Sequence, residues 1–305
     1  MKRIITILLS ILSLTLFSQH LPLLGHYAYN GVFFNPAITG SEEILVASAT
    51  YRKQWLGIDQ SPNNQILSAH TPLKRDQIAL GGFFYRDQIG AITKNSLFFN
   101  YAYRVPLGIN ERKLSFGMAL GLVSERANWD ELYLIDQVDE AYQNESASSM
   151  NPNLSVGLYY QNKRSYISFS MPFILESVYR NAVTPDVEFD ITKLNYYVSL
   201  GHSFPLGNEL KLMPSFLYRI KGNTSQQLDL TVLVRKERVI DAGIAFRTNG
   251  TLVFLAGAQI IPQLKMMYSY DLSLTKNELL GNSSHEISIS YQFKYVVDSV
   301  NPKFF

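Results

Sequence analysis

Residues 113–124 read Lys-Leu-Ser-Phe-Gly-Met-Ala-Leu-Gly-Leu-Val-Ser. Leu114, Phe116, Met118, Leu120 and Leu122 fall at every second position, with Ser115, Gly117, Ala119 and Gly121 between them. Successive side chains of an extended chain point to opposite faces, so this stretch is a strand with one large apolar face and one small face. The small face decides the fold class. A soluble sandwich turns its large residues inward and shows charged residues outside. Here the opposite face is Gly, Ser and Ala, as in a transmembrane barrel that turns large residues to lipid and small or polar ones to a lumen.

The same alternation recurs from about Glu42 onward. Leu97, Phe99, Tyr101, Tyr103 and Val105 are set against Phe98, Asn100, Ala102 and Arg104. Leu228, Leu230, Val232 and Val234 oppose Asp229 and Thr231, and Ile240, Ala242, Ile244 and Phe246 oppose Asp241, Gly243, Ala245 and Arg247. Leu264, Met266, Tyr268 and Tyr270 oppose Lys265, Ser269 and Asp271; Ile287, Ile289, Tyr291 and Phe293 oppose Ser288, Ser290 and Gln292. Many segments run to ~9–11 residues, the length of a tilted membrane strand, against ~5–6 for a soluble one.

The spacing of the segments predicts an all-β fold, a transmembrane antiparallel up-and-down β-barrel of about fourteen strands. The first strand starts near Glu42, the sixth near Asn153 and the last near His285. Short connections follow the even strands, as at 72–76, 161–163 and 260–262, whereas the long ones (53–64, 125–152, 172–193 and 274–284) all follow odd strands. Short turns at one rim and long loops at the other match an outer-membrane barrel with its short turns in the periplasm. Closure leaves no unpaired edge in lipid. Pro214 lies inside one predicted strand, and the reading there is a bulge or an early end.

Compartment is set by the start of the chain. Lys2 and Arg3 precede an apolar run, Ile4 to Phe17, followed by Ser18 and Gln19. This is the layout of a secretory signal peptide, 1–18, cleaved near Ser18; the run is shorter than the ~20 residues a spanning helix needs. Residues 19–41 are aromatic and carry Gly and Pro without alternation; they are expected to pack at the periplasmic mouth or enter the lumen, the alternative being a flexible leader. The barrel then takes 42–295 and a C-terminal tail 296–305. The acidic stretch 125–152, with Asp130, Glu131, Asp136, Asp139, Glu140 and Glu145, is a solvated loop or a short surface helix. Such a cluster can recruit Ca²⁺ through oxygen ligands, although it lacks EF-hand spacing.

Composition excludes several classes. The chain of 305 residues has no cysteine and a formal net charge of +2, with no basic tract, which argues against disulfides, thiolate–metal sites and nucleic-acid partners. Its five histidines form no HxxxH or HExxH pair, and neither a phosphate loop nor a nucleophile elbow occurs. Ser283, Ser284, His285 and Glu286 are neighbours in sequence, yet adjacent strand residues face opposite ways, so His285 and Glu286 cannot serve one lumenal site without a bulge. No catalytic residue, metal site or cofactor is expected, and the chain reads as a non-enzyme.

Particular residues add to the pattern. Asn35-Pro36-Ala37-Ile38-Thr39-Gly40 is similar to the NPA-x-x-G signature of the PorP/SprF family, and Arg52-Lys53-Gln54-Trp55-Leu56-Gly57 resembles its R-x-Q-W-x-G block. Tyr268-Ser269-Tyr270-Asp271, with Ser284-His285-Glu286-Ile287, resembles the closing block, loosened by the three-residue offset of Gly281 from Ser284. The resemblance runs through essentially the whole mature chain and implies an outer-membrane barrel of type IX secretion and gliding motility. Its implied partners are the type IX translocon with periplasmic components and a cognate secreted surface protein or adhesin, exported or anchored through a C-terminal sorting domain. The signature residues Asn35, Pro36, Ala37, Gly40, Arg52, Gln54, Trp55, Gly57, Tyr268, Tyr270, Asp271, Ser284, His285 and Glu286 are then partner-contact candidates. Each also has a structural reading: Asn35-Pro36 as a turn, Trp55 and the strand-end tyrosines as an interfacial girdle, and Arg52 paired with a carboxylate. A diffusion channel or small-molecule transporter on the same fold is the rival function; many Gly, Ser and Ala with few opposed charge rows favour a filled lumen over an open one.

Overall fold

The computed structural model describes residues 23–73, 77–108, 112–128, 148–177, 191–222, 225–237, 239–274 and 283–293. Residues 1–18, expected to be a signal peptide, the acidic residues 130–145 and the tail 296–305 lie outside them.

The strands are β1 (Leu45–Lys53), β2 (Asn63–Pro72), β3 (Ile78–Ile89), β4 (Ile92–Pro106), β5 (Lys113–Ala127), β6 (Ser148–Gln161), β7 (Ser165–Met171), β8 (Asn195–His202), β9 (Phe204–Leu206), β10 (Leu210–Lys221), β11 (Ser225–Lys236), β12 (Ile240–Arg247), β13 (Thr251–Ile261), β14 (Leu264–Ser273) and β15 (Ser284–Phe293). Each pairs antiparallel with its neighbour in sequence, and β15 returns to β1 in a ladder from Leu45↔Phe293 to Lys53↔His285. Short β9 continues β8 against β10 in the same register, Gly201↔Ser215 and then Phe204↔Leu212, so the two make one stave. The result is a closed antiparallel barrel of fourteen staves.

Large apolar side chains coat the outside. Phe99, Leu120 and Leu122 are 68%, 56% and 50% exposed, while between them Phe98, Asn100 and Ala119 are buried. In water such a coat would aggregate, and in lipid it is the stable arrangement. Among the described residues no helix is long and apolar enough to cross a membrane; the crossing is made by strands.

Two local expectations change. Pro214 neither bulges nor ends β10, which runs on in register with β11 through Pro214↔Val232. The interruption falls instead in the partner stave at His202 and Ser203, where the proline's missing N–H leaves the β8/β9 side without a donor. Strand β6 begins at Ser148, five residues ahead of the expected Asn153, pairing there with Arg126 of β5. Its exposed start, Ser148-Ser149-Met150, lacks an apolar face, because at this rim the wall rises past the apolar band and alternation no longer marks it.

Candidate functional site

The lumen is filled by the chain's own N-terminal segment. Between Leu24 and Gly40 all residues are buried except Ala28, Tyr29, Gly31 and Ile38. The segment folds into three short helical turns, Tyr27–Tyr29, Gly31–Phe34 and Pro36–Ile38. Asn35 caps the last of these by accepting from the Ala37 N–H at 2.8 Å, with Pro36 supplying the fixed φ of a first helical residue. Gly40 closes it in the left-handed region (φ +73°), and a Cβ there would stand 2.4 Å from the Ala79 Cβ.

One latch holds this plug to β5, β6 and β7. The Asn35 amide donates to Ser168 Oγ at 2.8 Å and to the carbonyls of Leu158 and Phe169, which face each other across the β6–β7 ladder. Two wall glycines make the groove. A Cβ on Gly157 would lie 1.9 Å from Asn35 Oδ1, and one on Gly117 2.1 Å from the Ala37 nitrogen. Ser170 Oγ donates to the Phe34 carbonyl at 2.7 Å, and Asn100 donates to the Val32 carbonyl at 3.2 Å. Phe33 packs between Phe83, Tyr85 and Phe173, with ring centroids 4.9–6.1 Å apart, an apolar core inside the lumen.

A belt of buried charge crosses the other side. Arg52 meets Asp271 at 2.6 Å, Asp271 meets Arg247 at 2.5 Å, Arg247 approaches Asp229 at 3.6 Å, and Asp229 meets Arg219 at 2.6 Å. Glu286 lies 3.5 Å from Arg52 and accepts from the Gly25 and His26 N–H groups at 2.7 and 3.0 Å, so belt and plug are joined. No side chain in this belt is more than 4% exposed. Charges removed from water this far persist only as pairs. The lumen therefore carries more opposed charge than its Gly, Ser and Ala content suggests.

At the short-turn rim Tyr29 forms a third station. Its phenol donates to Asp241 and accepts from Arg235 at 2.5 Å and from Lys265 at 3.0 Å, with the Lys265 ammonium 4.5 Å from the ring centroid. Burial pushes this phenol up from its ordinary pKa, which keeps it protonated as a donor. Asp241 retains Arg235 at 2.7 Å and Lys265 without it, so Tyr29→Phe is expected to lower stability by only ~1 kcal/mol, read from a urea unfolding midpoint.

The candidate residues divide by face. Asn35, Pro36, Ala37 and Gly40 belong to the plug, and Arg52, Asp271 and Glu286 to the charge belt. Gln54, Trp55 and Gly57 lie in the connection after β1: the Gln54 amide donates to Asn64 Oδ1, and the Trp55 N–H donates to Ser284 Oγ at 3.2 Å. Trp55 and Gly57 both take positive φ, 49° and 91°. Tyr268, Tyr270 and His285 stand on the outer face, where the Tyr268 hydroxyl is 2.6 Å from His285 Nδ1 and the Tyr270 ring 5.3 Å from the imidazole. His285 and Glu286 thus point to opposite sides of the wall and form no joint acid–base site. Gly117, Gly157, Arg219, Arg247, Asp229 and Tyr29 belong to the site as well and went unmarked in the sequence.

A family described as type IX secretion system membrane protein PorP/SprF matches residues 16–291, nearly the entire chain. The chain belongs to the PorP/SprF family. Its signature residues, on this structure, are mostly contacts of plug, belt and long-loop rim. No curated protein sequence matches it. Among solved structures, the Ralstonia pickettii toluene transporter TbuX aligns with TM-score 0.50 and 9% identity over 86% of this chain and 93% of that one. A Pseudomonas aeruginosa FadL homologue aligns with TM-score 0.47 and 13% identity, over 86% and 94%. The Escherichia coli outer membrane phospholipase A follows with TM-score 0.41 and 11% identity, over 80% and 92%. Identities this low show the barrel fold alone. As a PorP/SprF barrel the protein is an outer-membrane component of type IX secretion, and family and fold together suggest a non-enzyme.

Proposed function

We propose that this PorP/SprF protein is a docking barrel, supporting export or surface anchoring of a cognate adhesin or secreted protein through that protein's C-terminal sorting domain. The observation that carries the reading is the plug: a lumen filled from Leu24 to Gly40 and hydrogen-bonded to β4, β6, β7 and β15 is a scaffold, not a diffusion path. The long-loop rim, with exposed Leu56 beside Trp55, is the cargo side; the plug's exit and the short turns meet periplasmic components. Residues 1–18 serve as the export signal.

Two measurements test this against the rival channel. Purified protein in a planar bilayer is expected to show no steady, solute-permeable conductance, and a large steady one overturns the docking reading. Deleting the gene should leave a specific surface protein unexported or shed into the medium; unchanged surface and secreted proteomes sink it.

A further inference from the structure

A cavity of ≈ 540 Å³ opens at the short-turn rim, between plug residues Tyr27–Tyr29 and the ends of the strands. Four cations from four different places in the sequence line it: Arg164 before β7, Lys211 at the start of β10, Arg235 at the end of β11 and Lys265 at the start of β14. Arg235 and Lys265 share one carboxylate, Asp241. Among the described residues, Arg164 and Lys211 have no acidic partner, and both are exposed to the opening. Among the described residues, Glu42 is the only carboxylate on the cavity wall, and it accepts from the Gln292 amide at 3.0 Å. The mouth is therefore net positive, and walls of low dielectric focus that field outward.

Deeper in, the lining changes character: Met213, Leu233 and Leu255 give it an apolar floor. A small inorganic anion would satisfy the rim and leave this floor wet. A peptide with carboxylates at alternate positions and apolar side chains between them satisfies both, and the volume is that of a ligand pocket rather than a single-ion site. We propose that this vestibule binds an acidic, apolar-interrupted peptide segment of a partner protein, with Lys211 and Arg164 as the carboxylate contacts. The inference rests on the docking reading for its direction, since the short turns must face the periplasm. Its test does not depend on cargo export, so either can fail alone.

The probe is a fluorescein-labelled acetyl-Glu-Leu-Glu-Phe-Glu-Leu-amide, added to full-length protein in nanodiscs of zwitterionic lipid and followed by anisotropy. Saturable binding is expected, weakened by added salt and weaker by about tenfold or more in a Lys211→Glu, Arg164→Glu double variant, because rim charges set electrostatic association. Replacing each Glu of the probe by Gln should weaken binding to the same degree. The Lys211→Gln, Arg164→Gln pair keeps the test open if the charge reversals disturb assembly, and should lie between wild type and reversal. The proposal is overturned if the variants bind as wild type does or the Gln peptide binds equally well. It is also overturned if inorganic phosphate displaces the probe where chloride of equal ionic strength does not, which would make the cavity a small-anion site.

Discussion

Gly117→Val is expected to expel the plug and turn a closed barrel into a conducting one. Even a single methyl group at this position would sit 2.1 Å from the Ala37 nitrogen, 2.3 Å from the Pro36 carbonyl carbon and 2.4 Å from the Ala37 Cα. These are backbone atoms, so no side-chain rotation relieves the clash, and one partner must move. The wall cannot: β5 is laddered along its length to β4 and β6. The plug can, since it is joined to the barrel covalently only at Leu45 and otherwise by hydrogen bonds through side chains and by the apolar packing around Phe33. Losing the seat of Pro36-Ala37 also removes Asn35 from its carbonyls on Leu158 and Phe169. What remains is a fourteen-stave lumen, between the filled interior of ~8 strands and the aqueous channel of ~16–18. The variant should keep the heat-modifiable gel migration of a folded barrel while showing steady conductance in planar bilayers. Gly257→Ala is the control, because its new methyl meets Met267 Cγ at 3.3 Å and Asp241 Cβ at 3.4 Å, near ordinary contact, and should stay closed. A closed Gly117→Val barrel would mean that this groove does not hold the plug.

The contrast between those two glycines also marks how far the sequence can be read. Both occupy lumen-facing positions of alternating strands, and the alternation that places them inside is local, so period two is enough to find it. That is why the staves, their closure and the loop asymmetry were legible in order. What a lumenal residue touches is set by the register around the ring and by a segment from elsewhere in the chain. Arg52, Asp271 and Arg247 lie on β1, β14 and β12, and nothing near any one of them in sequence indicates the other two. A partial signal did exist: Arg104, Arg219 and Arg247 each stand at inward parity among large apolar neighbours, where an unpaired charge is untenable. Each therefore required a partner, although the sequence left its identity open. The plug was harder, because residues 24–40 have neither period, and their fit depends on the absence of side chains at Gly117 and Gly157.

Asp271→Ala is expected to be the most destabilising single change in the barrel, by ~3–5 kcal/mol, because it breaks a buried pair from one side only. One oxygen of Asp271 serves both Arg52 at 2.6 Å and Arg247 at 2.5 Å. Without it, each guanidinium keeps only a distant carboxylate, Glu286 at 3.5 Å and Asp229 at 3.6 Å, while remaining at 2% exposure. Repulsion between the two cations then adds to their desolvation. Asp271→Asn preserves shape and one acceptor but not charge, and should fall between wild type and alanine. The combined change Asp271→Leu, Arg52→Leu, Arg247→Met and Glu286→Gln removes two cations and two anions together and leaves Asp229 with Arg219. It should recover much of the loss, since a belt replaced by uncharged groups of similar volume no longer leaves a charge unpaired. Urea unfolding of protein refolded into vesicles, followed by tryptophan fluorescence, measures all three. If alanine at 271 unfolds at the wild-type midpoint, water reaches the belt, and the arginines are solvated rather than held by their carboxylates. The plug's anchorage at Glu286 would then owe less to the field of Arg52 than to the two N–H donors of Gly25 and His26.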